Sequence, residues 1–288
     1  MRVDLLNNLY FQPGRQRIVT GLMFHHEDGD ASLSGGATSL VKADPFGLRE
    51  RYQDNGNIIR TLDEISSALE VYDPAKGQHL DLRGVDFTSL FDIKVGSNEG
   101  LNLERYLARL TDKSQYPLVN AHLAKANLTR AYLYQVNLSS ANLTRAYLYQ
   151  VNLTDADLTD ANLFSAHLTG ANLFRANLAK ANLTRAYLYQ VNLSSANLTN
   201  ANFTKAHLIN ANLTEANLTN ANLFEANLTE ANLTEANLTE ANLTDAGLTD
   251  ADLRGAYKYL SGKKLEGPSL KEHLTSRFKV VVSDGTRF

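Results

Sequence analysis

The sequence predicts an all-β solenoid with coils of square section, and three observations carry that prediction. A large apolar residue recurs at Leu118 and at every fifth position to Leu253, 28 times, with Phe203 the only one that is not Leu. A small residue stands two positions before each. It is Ala in most units, Val at Val136, Val151 and Val191, and Tyr116 is the irregular first. The positions between are polar, as in Ala126-Asn127-Leu128-Thr129-Arg130.

Neither standard periodicity accommodates five residues. On a helix the unit advances by about 500°, so the apolar position drifts by about 140° each time and forms no stripe. In a flat strand strict alternation breaks once per unit. A chain that turns a corner every five residues keeps the Leu and the residue two before it inward throughout. Four sides close a coil of 20 residues, so 28 units give about seven coils and a rod of roughly 34 Å at the spacing of paired strands. Leu stacks on Leu and Ala on Ala, and the Asn before most Leu residues is placed to form an amide ladder. Gly170 and Gly247 alone interrupt the units from Ala121 to Leu253, which predicts a straight rod without looped-out insertions.

The motif, exemplified by Ala211-Asn212-Leu213-Thr214-Glu215, resembles that of the pentapeptide-repeat family, and the resemblance covers about half of the chain. It implies a right-handed quadrilateral parallel β-helix. It also implies a range of roles, because the family includes proteins similar to DNA-shaped inhibitors of type II topoisomerases, secreted bacterial effectors and others of unassigned role. Residues 1–115 resemble no enzyme family.

The expected organisation is a small α+β domain over 1–100, a capping helix and linker over 101–115, the β-helix over 116–255, and a C-terminal cap and tail over 256–288. In the first segment, Arg17 to Phe24 reads as a strand ended by the polar turn His25-His26-Glu27-Asp28-Gly29-Asp30, which matches no metal-ligand spacing. Leu62, Ile65, Leu69 and Tyr72 have helical spacing behind Thr61, a candidate cap with Glu64 three residues on. Leu80 to Ser89 already looks like two units. Phe87 lies 31 residues before Leu118, however, so these units are out of frame unless a segment is inserted. Leu103, Tyr106, Leu107 and Leu110 fall on one helical face behind Asn102, giving that segment a helix to plug the open first coil. After Leu253 the pattern stops, with Lys258 where the next Leu is due. A short helix is expected from Gly267-Pro268-Ser269 to about Ser276, then a strand over 278–283.

Charge is graded along the chain. Net charge is −3, but residues 1–115, 116–210, 211–253 and 254–288 carry −4, +4, −8 and +5. The balance favours neither nucleic acid nor membrane surfaces as partners, and no apolar run approaches the length of a membrane span. The absence of Cys excludes disulfides and thiol chemistry. The first residues lack the apolar core of a signal peptide, so a soluble protein made in the cytoplasm is expected.

Two surface features stand out once residues 20 apart are stacked. Tyr147, His167, Tyr187 and His207 form a row beside Tyr149 and Tyr189, an exposed aromatic strip suited to binding a partner or another copy. Duplication offers the plainer account, since Ala181 to Ser195 repeats Ala126 to Ser140. Glu215, Glu225, Glu230, Glu235, Glu240, Asp245 and Asp250, with Asp252, form an acidic collar on all four sides of the last coils. The basic tail, with Lys263, Lys264, Lys271, Arg277 and Lys279, is placed to fold back on it; the alternative is self-association, either with the basic end of one rod against the acidic end of another or through the N-terminal domain. Lys125, Arg130, Arg145, Arg175, Lys180, Arg185 and Lys205 occupy earlier coils, which speaks against a rod that mimics DNA. Catalytic, cofactor and metal sites are not legible, and a filled solenoid leaves no cavity for a substrate. The expectation is a non-catalytic structural or protein-binding rod. Its N-terminal domain would anchor it in a larger assembly, for example as a virion or fibre component. The alternatives are an acidic topoisomerase inhibitor and a bacterial effector.

Overall fold

An Asn-bearing unit folds as it does because its five residues leave no backbone amide without a partner. The computed structural model describes residues 2–4, 23–25, 31–32, 48–71, 79–91, 118–260, 263–278 and 280–288. In Ala181-Asn182-Leu183-Thr184-Arg185, the Ala181 N–H closes the preceding turn on the Leu178 carbonyl at 3.0 Å. Asn182 N–H donates to Ala161 one coil back at 2.9 Å, while Leu183 and Arg185 donate to Asn202 and Thr204 one coil on at 2.7 and 2.9 Å. The fifth amide, that of Thr184, donates to the unit's own Asn182 Oδ1 at 3.1 Å. Asn182 Nδ2 then donates to Asn162 Oδ1 at 3.2 Å, one rung of the amide ladder. Asn suits the position because one side chain offers both an acceptor for the turn and a donor for the neighbouring coil.

These bonds recur as parallel bridges between residues 20 apart, running along one side from Asn127 through Tyr147, His167, Tyr187, His207 and Asn227 to Gly247. The inward Leu, Ala, Val and Phe203 side chains from Leu118 to Ala256 are at most 2 % exposed. Every fifth residue turns a corner with φ in the left-handed region, 26 of them non-glycine between Asn120 and Asp250. A Cβ there costs on the order of 1–2 kcal/mol, which the flanking coil-to-coil bonds overcome.

At the start of the rod, Leu80 to Phe87 lie directly on the first full coil. Asp81 bridges His122 and Asp86 bridges Asn127 in parallel, and Leu80, Leu82 and Phe87 are fully buried. The two units that seem out of frame therefore stack, and residues 92–117, which contain the helix expected at 102–110, lie outside the described ones. Immediately before this half-coil lie α1 (Leu48–Arg51) and α2 (Gly56–Val71), and α3 (Thr88–Phe91) follows it. Leu62, Ile65 and Leu69 of α2 share one buried cluster with Leu80 and Phe87. The helix starts earlier than its sequence suggests. Asn55 Oδ1 caps Ile58 N–H at 3.2 Å, because Ile58 and Ile59 extend the apolar face upstream. Thr61 is instead a buried interior residue, its hydroxyl on the Asp86 carbonyl at 2.8 Å, so it fastens helix to coil. Upstream, β1 (Arg2–Asp4), β2 (Met23–His25) and β3 (Ala31–Ser32) pair antiparallel in that order. The strand expected from Arg17 is described only over Met23–His25.

The far end mirrors this arrangement. The inward register runs one unit beyond Leu253, since Lys258 is 3 % exposed. Its Nζ donates to the Ala241 carbonyl at 2.8 Å, 4.9 Å from the Phe278 ring centre. That carbonyl would otherwise receive an amide from a further coil. Burial pushes the Lys258 ammonium below the ordinary lysine pKa, with nearby Glu240 opposing. The chain then leaves the rod as the antiparallel hairpin β4 (Tyr257–Leu260) and β5 (Lys263–Glu266), followed by α4 (Gly267–Phe278). It returns as a closing half-coil in which Val281 bridges Gly247 and Arg287 bridges Asp252. The segment expected as a strand over 278–283 thus supplies a single bridge. The tail meets the collar through a hydroxyl, Ser283 Oγ donating to Asp250 Oδ1 at 2.6 Å. A Cβ at Gly285 would collide with the same Asp250 carboxylate. Among the basic tail residues, Lys264 pairs with Glu266 at 2.7 Å and Lys271 lies 5.4 Å from the Phe288 ring centre, so both contacts stay within the cap.

The corner geometry is directly testable. Glu230 sits at φ 56°. A Glu230→Val variant should be less stable in urea denaturation by on the order of 1 kcal/mol, because a β-branched residue fits this region worse than Glu, whereas Glu230→Asn should be neutral or better, because Asn tolerates it. Equal effects of the two would refute the corner as the source of the strain.

Candidate functional site

On one side of the rod the Asn ladder gives way to rings. Between Asn127 and Asn227, the ladder position holds Tyr147, His167, Tyr187 and His207, each bridged to the next. Because the backbone repeats without insertion, the rings are brought into one column. Tyr147 and His167 have centroids 5.2 Å apart with planes 11° from parallel; His167 and Tyr187 are at 4.8 Å and 5°, and Tyr187 and His207 at 5.3 Å and 9°. These are offset stacks within the favourable range for aromatic pairs. Tyr149 and Tyr189, two residues on, lie beside the column. The Tyr149 hydroxyl is 3.0 Å from His167 Nδ1, and the Tyr189 ring is 5.8 Å from His207. Tyr147 and Tyr187 are 43 % and 37 % exposed, so the column opens to solvent.

All six residues of the expected strip are thus together on one side. The acidic residues are not joined to it as one site. Glu215, Glu225, Glu230, Glu235, Glu240, Asp245 and Asp250 all occupy left-handed corners, spread around the four edges. Glu225 pairs with Lys205 one coil back at 3.2 Å. Earlier on the rod, Arg175 stacks on Asp155 one coil back at 2.8 Å.

Tyr132 and Tyr134, each 46 % exposed, are a part of the aromatic surface that the row of four does not include. A signal was available, for Tyr-Leu-Tyr occurs at 132–134, 147–149 and 187–189. The last two copies are 40 residues apart and fall on one side, whereas the first is offset by 15 and turns onto the adjoining side. The first and last copies lie in the identical stretches Ala126 to Ser140 and Ala181 to Ser195. The alignment of the last two, with His167 and His207 in the intervening rungs, follows from the 20-residue coil.

The arrangement offers flat aromatic contact area edged by charge. Among the described residues no group of three or more His, Asp or Glu is placed to hold a metal ion, and no described helix is long and apolar enough to cross a membrane. Burial lowers the pKa of His167 below the ordinary imidazole value. The unfolded chain therefore takes up the proton first, and stability present above about pH 6.5 falls as the pH drops through that value. In His167→Asn, which restores the residue usual at this position, the acid-induced fall in melting temperature between pH 8 and pH 5 should be smaller than in the parent. An unchanged fall would show that the imidazole is not involved.

A family model for pentapeptide repeats matches at residues 118–155, 156–194, 181–220 and 221–257. A search of curated proteins finds no match. Among solved structures, the chain is similar to HetL, a pentapeptide repeat protein involved in heterocyst differentiation regulation from the cyanobacterium Nostoc. The identity is 25 %, covering 75 % of this chain and 96 % of that one, with a TM-score of 0.28. It is similar to a pentapeptide repeat protein from the Arabidopsis thaliana thylakoid lumen at 30 % identity, covering 36 % of this chain and 68 % of that one, with a TM-score of 0.20. A likeness to QnrB1, a plasmid-mediated fluoroquinolone resistance protein, covers 58 % of this chain and 85 % of that one at 15 % identity, with a TM-score of 0.36. With its unbroken five-residue units and their match to the family model, this chain belongs to the pentapeptide-repeat family, whose members fold as right-handed quadrilateral β-helices.

Proposed function

We propose that the protein is a non-catalytic binding rod that engages a protein partner through its aromatic side. The observation that carries this reading is the Tyr147–His167–Tyr187–His207 column, set where other units carry hydrogen-bonded Asn. Two of its members forgo nothing that the core requires, yet expose ring area to water. Aromatic residues gain most from burial against a partner and lose little conformational freedom on docking. The filled interior supports binding over turnover, because Leu and Ala occupy the axis of the rod. In this reading the rod holds the face rigid, and the N-terminal segment attaches it to whatever it serves.

The charge layout weighs against an acidic rod that imitates DNA. Lys125, Arg145, Arg185 and Lys205 occupy one corner column beside the aromatic side, and acidic residues take it over only at Glu225. Nothing in the fold or in the similar structures supports a virion or fibre setting.

Substitution by Asn keeps the repeat intact while removing the rings. Tyr147→Asn/Tyr187→Asn should fold with a melting temperature close to the parent's, yet bind its partner at least about tenfold more weakly. A photo-crosslinking residue at position 147 or 187 should capture a protein that one at position 197, on the opposite side, does not. Equal capture from both sides, or none from either, would refute the lateral surface.

A further inference from the structure

The two corner columns that bound the aromatic side share a property the other two lack. One runs Lys125, Arg145, Ser165, Arg185, Lys205, Glu225, Asp245. The other begins at Arg130 and ends at Glu230 and Asp250, with uncharged residues at 150, 170, 190 and 210. Both pass from positive to negative once, without reversal. The remaining columns are mixed, since Asp155 precedes Arg175 in one and Asp160 precedes Lys180 in the other. This side is therefore a dipolar face with an aromatic centre.

We infer that the aromatic side binds a second copy of this chain, laid face to face and pointing the opposite way. This inference rests on the lateral-surface reading above and names its partner. A twofold axis across the face brings each bounding column against its own counterpart in reverse order. The Lys and Arg end of one rod then meets the Glu and Asp end of the other, and the same contacts occur twice. The aromatic columns lie between them and lose their exposure. A parallel pairing would set Lys125 against Arg130 at one end, and Glu225 and Asp245 against Glu230 and Asp250 at the other, so that like charges oppose at both ends. Charge thus selects orientation, and the rings supply the apolar contact area.

Sedimentation at roughly 50 µM, a concentration suited to an interface of modest area, tests this. In low salt the full chain should run as a dimer, and it should dissociate as added salt screens the exposed charges. Arg145→Glu/Arg185→Glu places a carboxylate opposite Glu225 of the other copy, and Glu225→Lys/Asp245→Lys places ammonium groups opposite Arg145 and Lys125. Each alone should lose the dimer, and an equimolar mixture should restore it as a heterodimer. A monomeric parent in low salt would overturn the inference, as would variants that dimerise alone or a mixture that stays monomeric. The parent salt series needs no substitution and decides the matter even if a variant fails to fold. If the parent stays monomeric while position 147 still captures another protein, the second copy is wrong and the lateral surface stands. Failure of both measurements removes both.

Discussion

Hydrogen bonding between backbone positions 20 residues apart is the constraint on which the rest of the molecule depends. Each coil offers its neighbour the same set of amides and carbonyls, and the next coil must answer in the same register. A slip of one residue would send Leu outward and a corner residue inward along the whole length, so register and core are one requirement. The corners show its strength. Lys, Arg, Gln and Glu accept a left-handed backbone that they would not choose locally, because the alternative is to break the bonds on either side.

That constraint explains which parts of the fold are legible in the residues. The repeat is legible because the inward positions recur at a fixed interval and tolerate almost no variation. The ends are harder to read, because the solenoid continues there through segments that are not contiguous with it. Leu80 to Phe87 carry the pattern in plain form, but their place depends on how the chain returns at Leu118. Lys258 looks like the end of the array, yet it keeps the inward register and uses its ammonium on a carbonyl that has no further coil to meet. The hairpin that follows had a signal in Ser261-Gly262 between two alternating runs. The start of α2 was concealed because Thr61 resembles a cap, while Asn55, a better one, lies outside the apolar periodicity.

Both ends solve one problem in the same way. An open coil exposes Leu side chains and unpaired carbonyls, and each is closed by a half-coil of two bridges accompanied by a helix. With ends and core assigned to stability, variation is confined to the outward positions. The aromatic column is aligned by the 20-residue coil, and the corner charges are graded by position along it. Tyr132 and Tyr134 show how literal this is, since the same Tyr-Leu-Tyr lands on another side when its offset is not a multiple of the coil.

The coil length is the claim from which everything else follows, and one distance measures it. The chain has no Cys, so spin labels on Lys125→Cys and Asp245→Cys report a single pair. These residues share a corner six bridges apart, and strand spacing puts them about 29 Å from each other. Diluted into an excess of unlabelled protein, the doubly labelled chain should give one narrow distribution near that distance. A broad distribution, or a maximum far from it, would contradict a continuous 20-residue coil.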